Sequence, residues 1–134
     1  MYTTEHQLRV RYGETDQMGY CYYGNYAEFY EVGRVEMLRS LGVSYKSLED
    51  RGVLLPVLEY NIKYLKPAFY DDLLTIKTHL KELPKARIRF DYEIFNEKGE
   101  KLNFGFTTLV FVNAETGRPM PAPQDFLDKV GGYF

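Results

Sequence analysis

Only one stretch of this chain has the periodicity of a long helix, and most of the sequence after it alternates with a period of two. Tyr26, Phe29, Tyr30, Gly33, Met37 and Leu41 recur at three- and four-residue steps and trace one stripe of an α-helix. Glu28, Glu31, Arg34, Glu36 and Arg39 occupy much of the remaining surface, with Glu31–Arg34 and Glu36–Arg39 spaced for i,i+3 ion pairs. Asn25 reads as the N-cap and Gly42 as the residue just past the C-terminus, which bounds the helix at about 25–41. Gly33 weakens such a helix by about 1 kcal/mol relative to alanine. Its expected use is to let the helix axis approach a sheet closely.

Around this helix the pattern is β. Leu8, Val10 and Tyr12 alternate with Arg9 and Arg11 and predict a first strand that stops at Gly13. Ser44 to Asp50 reads as a short second helix capped by Ser44 and stopped by Gly52. Leu58 to Tyr64, Leu74 to Leu80, Ile88 to Ile94 and Leu102 to Val112 then alternate as strands. Asn96-Glu97-Lys98-Gly99 supplies a hairpin turn, and Asp125 to Val130 a terminal helical turn. The fold class is therefore α+β: one long amphipathic helix facing an antiparallel sheet of about five strands, curved enough to wrap it.

At 134 residues the chain is read as one domain, 1–134, large enough to bury a real core. There are 17 Lys and Arg against 19 Asp and Glu, a net charge of −2, and no basic run to track a phosphate backbone. Nucleic acid is thus not an expected partner. The single cysteine, Cys21, excludes an intrachain disulfide and suits a reducing compartment. The opening Met1-Tyr2-Thr3-Thr4-Glu5-His6 has neither the basic start nor the apolar run of a signal peptide, and no stretch has the length of a membrane span. The expectation is a soluble cytoplasmic protein. Its 13 Tyr and 9 Phe suit half-buried strands and also a ligand groove.

The segment Tyr12-Gly13-Glu14-Thr15-Asp16-Gln17-Met18-Gly19-Tyr20-Cys21-Tyr22-Tyr23-Gly24-Asn25-Tyr26 joins the first strand to the long helix. Free backbone N–H groups at a helix N-terminus can hold developing negative charge. A carboxylate on the same loop would supply a base or nucleophile opposite them, the two halves of an acyl-transfer site. An aspartate beside glycines is also what an ordinary Asx-turn contains, so residue chemistry alone leaves Asp16 open between catalytic and structural roles.

The run from Val10 to Arg39 resembles the opening of the hotdog-fold thioesterases of the 4-hydroxybenzoyl-CoA and Tol-Pal-associated type. Their pattern has an Asp, a residue–Gly pair, an aromatic or His seven residues past the Asp, and an Asn-Tyr opening the helix. Here these are Asp16, Met18-Gly19, Tyr23 and Asn25-Tyr26. Tyr64-Leu65-Lys66-Pro67-Ala68-Phe69-Tyr70-Asp71-Asp72-Leu73 also resembles the family's later strand–turn–strand. The resemblance implies a hotdog fold with a central helix, and hydrolysis of an acyl-CoA thioester without metal or other cofactor. In it Asp16 is base or nucleophile, the amides at Tyr23 and Gly24 are oxyanion donors, and Gly19 and Asn25 adjoin the substrate. It further implies that Lys85 and Arg87 face the CoA phosphates, and that the chain forms a homodimer or tetramer with each site at the dimer interface. Many members carry His where Tyr23 stands, so their short-chain preference does not transfer.

Other groups are read more plainly. His79 points outward from a strand whose inward set is Leu74, Ile76, Thr78 and Leu80, and neither it nor His6 has metal-ligand company. Glu28 and Glu31 read as solvated helix carboxylates, Cys21 as an inert thiol, Tyr12 as a packed strand residue, and Asp71 and Asp72 as turn residues. Two further functions remain open on the sequence: a hotdog hydratase or dehydratase, which would need a histidine in the groove, and a non-catalytic acyl- or CoA-binding module.

Overall fold

A computed structural model describes residues 1–134. The long helix α1 spans Asn25–Ser40, and α2 spans Tyr45–Asp50. Strands β1 Tyr2–Arg9, β3 Val57–Tyr64, β4 Leu73–Leu80, β5 Arg87–Phe95 and β6 Lys101–Val110 form one antiparallel sheet in the order β1-β4-β5-β6-β3. Two short strands, β2 Val53–Leu54 and β7 Val112–Asn113, pair with each other, and helix α3 spans Gln124–Val130. The α+β reading and the four later strands hold. The last predicted strand is divided, because past Val110 the chain leaves the large sheet to pair with β2.

The first strand corrects the sequence reading. It runs Tyr2–Arg9 rather than Leu8–Tyr12, and Tyr12 stands in a 3-10 turn, 78% exposed, edge-on to Tyr70. The segment Thr3 to Gln7 is polar and gave no apolar alternation, yet it pairs residue by residue with β4 from Tyr2↔Leu80 to Arg9↔Leu73. Pairing ends at Val10, which exchanges backbone bonds with Asp71 and Asp72. Asp71 makes the turn there with φ 68, and the Asp72 carboxylate accepts from the Phe69 amide at 2.8 Å.

Helix α1 lays its predicted stripe on the sheet: Tyr26, Phe29, Tyr30, Gly33 and Met37 are all buried. It ends as expected at Gly42, with the Val43 amide donating to the Leu38 carbonyl and Gly42 to Arg39, the two bonds of a Schellman close. Its start differs, since Gly24 occupies the N-cap and Asn25 is the first helical residue. The Glu36–Arg39 pair forms, but Glu31–Arg34 does not. Helix α2 is capped by Ser44, whose hydroxyl accepts from the Ser47 amide.

Gly33 is the contact that sets the height of α1 above the sheet. A Cβ there would lie 2.5 Å from Thr78 Oγ1 and 3.0 Å from Ile76 Cγ2, so no side chain fits between the helix and β4. Next to it Tyr30 stacks on Tyr92 with centroids 4.2 Å apart. The Tyr30 hydroxyl donates to Asn103 Oδ1 at 2.7 Å, and Tyr92 shares a bond with Thr107 at 2.6 Å. These phenols anchor α1 across β5 to β6 in a core that also holds Leu74, Ile76, Leu80, Phe90 and Leu102.

Both the close seat and the buried phenols are testable. Gly33→Ala should lower unfolding free energy by about 1–3 kcal/mol in urea titration, because overpacking outweighs the roughly 1 kcal/mol gain in helix propensity. Burial pushes the Tyr92 hydroxyl up to about 12, and that of Tyr30 higher still. Both phenols are thus protonated in the fold at a pH where their unfolded counterparts ionise, near 10. Their contribution to stability is full below pH about 10 and is lost as pH rises toward 12. Thermal melts across that range should show the decline, and Tyr92→Phe should flatten it.

Candidate active site

The loop between β1 and α1 is held by one carbonyl. The Glu14 backbone oxygen accepts from the Tyr22 amide at 2.7 Å and from Asn25 Nδ2 at 2.8 Å, tying both the end of the loop and the first residue of α1 to one point. Asn25 therefore serves the loop with the side chain that was expected to cap the helix. The Glu14 side chain is buried and accepts from the Arg11 amide at 2.7 Å, with the Arg11 guanidinium beside it. Sequence reading passed over Glu14. Its only signal was an acid three residues past Arg11 in a polar loop.

Within this frame Asp16 makes a tight turn. Its Oδ1 accepts from the Met18 amide at 2.9 Å and its carbonyl from Gly19, which has φ +80. The Asp16 amide donates to the Tyr20 carbonyl at 2.9 Å, and Thr15 bridges Cys21 across the turn. The Asx-turn reading is thus realised in the geometry, and one carboxylate oxygen is left without a protein donor.

Asp16 also lines a groove of about 300 Å³. Opposite and around it stand Tyr20, Tyr23, Tyr26, Tyr64 and Leu65, from the loop, the first turn of α1 and the end of β3. Tyr26 and Tyr64 lie 5.7 Å apart centre to centre, and Tyr23 meets Tyr64 edge-on at 6.5 Å. The Cys21 amide donates to the Ala68 carbonyl at 2.8 Å, and Tyr20 bridges Phe69, so the 64–70 segment forms the second wall. That wall includes Lys66, whose ammonium is ion-paired with Glu100.

The amides of Tyr23 and Gly24 have no acceptor within the chain, whereas those of Tyr22, Asn25 and Tyr26 do. Tyr23 faces the same groove as Asp16. Gly24 does not line it; a Cβ on Gly24 would fall 2.7 Å from Cε2 of the Tyr22 ring, which covers that position. Gly19 and Asn25 likewise shape the loop and do not line the groove. Cys21 does reach it, but burial, and then the nearby Glu14 charge, push its thiol up to about 11, the opposite of an activated nucleophile.

Lys85 and Arg87 are not brought to this site within one chain. Arg87 pairs with Val110 at one end of β6, while Tyr64 pairs with Asn103 at the other, so the length of the strand separates them. Lys85 instead flanks an apolar depression of about 510 Å³ beside Pro84, Met120 and Leu127. His79 lies on the outer sheet face, bonded to Thr3 and Glu93, and no helix is long and apolar enough to cross a membrane.

With this geometry the chain matches known proteins along nearly its whole length. The candidate acyl-CoA thioesterase YneP of Bacillus subtilis is 34% identical over 128 residues, 96% of this chain and 93% of YneP. The DHNA-CoA thioesterase of Staphylococcus aureus has a TM-score of 0.91 and 37% identity, covering 99% of this chain and 89% of that one. A hypothetical protein from Thermus thermophilus has the same TM-score at 31% identity, covering 99% and 98%. The model of the thioesterase-like superfamily matches residues 10–130, from the start of the Asp16 loop to the end of α3. The chain belongs to that superfamily and has the hotdog fold.

Proposed function

We propose that this protein hydrolyses acyl-CoA thioesters to a carboxylic acid and free CoA, with Asp16 as general base or nucleophile. What supports this is that Asp16 and Tyr23 line one aromatic groove at the start of α1, and that the Tyr23 amide has no acceptor within the chain. The relatives named as acyl-CoA and DHNA-CoA thioesterases support the reaction class.

The thioester carbonyl oxygen sits against the Tyr23 amide, at a helix end where the dipole also favours negative charge; Gly24, expected as a second donor, lies outside the groove of one chain. Asp16 attacks the carbonyl carbon or takes the proton from a water that does. The Met18 amide holds one of its oxygens and leaves the other toward the groove. The tetrahedral intermediate then expels the CoA thiolate, which takes up a proton; where Asp16 is the nucleophile, water next hydrolyses the mixed anhydride and frees both the acid and Asp16. No histidine stands in the groove, so a hydratase finds no base there.

The protein acts as a homodimer in the cytoplasm. Strand β3 is an open sheet edge carrying exposed Val57, Leu58, Tyr60 and Tyr64, an apolar row that a monomer would leave in water. Pairing β3 antiparallel with its copy sets the Tyr64 end of one sheet beside the far end of the other. That arrangement brings the partner's Lys85 and Arg87 toward the groove mouth, where they receive the CoA phosphates.

Asp16→Asn should lower kcat by about 10²–10⁴-fold on any acyl-CoA the wild type hydrolyses, read from released thiol, with the melting temperature little changed. An unaltered rate would remove Asp16 from the chemistry. Tyr23→Phe should stay within about threefold of wild type, since only the backbone is used, in contrast to the roughly 10²-fold loss typical of a deleted oxyanion donor. Light scattering after size exclusion should give twice the chain mass; a monomer at micromolar concentration would refute the β3 dimer.

A further inference from the structure

One amide in the core is bonded through its oxygen alone. Asn103 lies on the inner face of β6 and is wholly buried. Its Oδ1 accepts from the Tyr30 hydroxyl at 2.7 Å, while Nδ2 has no acceptor in the chain. An amide N–H2 withdrawn from water without a partner is disfavoured, and leucine would fill the position without that penalty. Thr78 Oγ1 is the other buried side-chain atom left unmatched. It is sealed beneath α1 at Gly33, where even a Cβ finds no room, so no ligand can come to it. Asn103 is placed differently.

It stands directly opposite Tyr64 in the β3–β6 ladder, where facing Cβ atoms are about 5 Å apart. Tyr64 in turn lines the Asp16 groove together with Tyr26. Helix α1 meets β3 through two ring pairs, Tyr26 against Tyr64 at 5.7 Å and Tyr30 against Tyr60 at 6.0 Å. The amide is bonded to one of these pairs and is the cross-strand neighbour of the other. It therefore lies at the inner end of the groove, behind the Tyr26–Tyr64 wall. The Tyr30 phenol is pushed up by burial, and then by Tyr60, Tyr92, Tyr64 and Tyr26, which puts the phenols of the groove and Asn103 in one cluster. The Tyr64 ring is half-exposed and meets the Tyr23 and Tyr26 rings without a hydrogen bond, so turning it aside breaks none.

We propose that Asn103 determines acyl specificity: its free N–H donates to a neutral oxygen, hydroxyl or ketone, on the far part of an acyl group that enters past Tyr64. The proposal rests on the thioesterase reading of the Asp16 groove and names what that groove selects. The oxygen is neutral because Asn103 is surrounded by the Tyr30 phenol, Tyr64 and Ile94, none of which offers a cation to a carboxylate. Tyr30 lies one turn past Tyr26, about 6 Å along the axis, so the oxygen reaches roughly a ring's length deeper than the Tyr26–Tyr64 pair. An acyl group without that oxygen leaves the amide unpaired and forgoes the bond.

Matched acyl pairs test this, with and without the oxygen: para-hydroxybenzoyl against benzoyl, and levulinoyl against pentanoyl. Dissociation constants are measured by calorimetry for their non-hydrolysable thioether CoA analogues, and kcat/KM for the thioesters themselves. Wild type should bind the oxygenated member of at least one pair about tenfold more tightly, and Asn103→Leu should bring that ratio to within about twofold. Equal affinities in both pairs would mean that water, not the acyl group, meets the amide, and would overturn the proposal. So would a preference that survives Asn103→Leu. That variant strands the Tyr30 hydroxyl; should it not fold, Tyr30→Phe/Asn103→Leu removes both partners and is read in the same way, with Tyr30→Phe alone expected to keep the preference. Release of thiol from none of the thioesters would sink the hydrolysis reading, and the thioether affinities would still decide this one.

Discussion

Everything functional in this protein depends on how closely α1 lies on the sheet. Gly33 admits no side chain between the helix and Thr78 and Ile76, and Tyr30 stacked on Tyr92 holds the same stretch laterally. A helix standing higher would separate Tyr26 from Tyr64 and open the groove, and it would lift the helix start away from the loop. The intrinsic penalty of a glycine in the middle of a helix is thus offset by contact that a larger residue would prevent.

That seat makes the loop before α1 meaningful. A long polar loop is free to adopt many shapes, but the Glu14 carbonyl, taking bonds from both Tyr22 and Asn25, reduces it to one. Asp16 is then presented in an Asx-turn on the groove that Tyr23 also lines. The turn role and the catalytic role, alternatives at the level of residue chemistry, are compatible here because a carboxylate has two oxygens and the turn uses one.

Much of this was legible in the chain. The stripe from Tyr26 to Leu41, the four later strands, the Gly33 contact and the Gly42 stop all follow from periodicity and local chemistry, because those signals report burial directly. The first strand was misplaced because Thr3 to Gln7 pairs through its backbone and buries little, so it left no apolar signature. Asn25 was given to capping because cap preference is a local rule, whereas its actual partner, the Glu14 carbonyl, is brought to it by the folded loop. Asp16 and Tyr23 were singled out by the resemblance, and the fold brings both to one groove. Lys85 and Arg87 were expected at the same site, and the length of β6 shows that one chain cannot bring them there. Spacing along a sequence cannot distinguish a residue's own groove from that of a second copy.

The asymmetry of the fold connects these points. Five strands are too many for one helix to cover, and α1 takes the β1 side, leaving β3 with an open edge and an uncovered face. The Asp16 groove lies at the boundary between the covered and uncovered parts, one wall from α1 and one from the end of β3. Tyr64, at the end of β3, belongs both to the groove and to the uncovered strand. In one chain the apolar wall at that boundary stands open to water, so the field around Asp16 is that of a half-solvated carboxylate. The open edge and the half-walled groove are then two results of one shortfall in coverage.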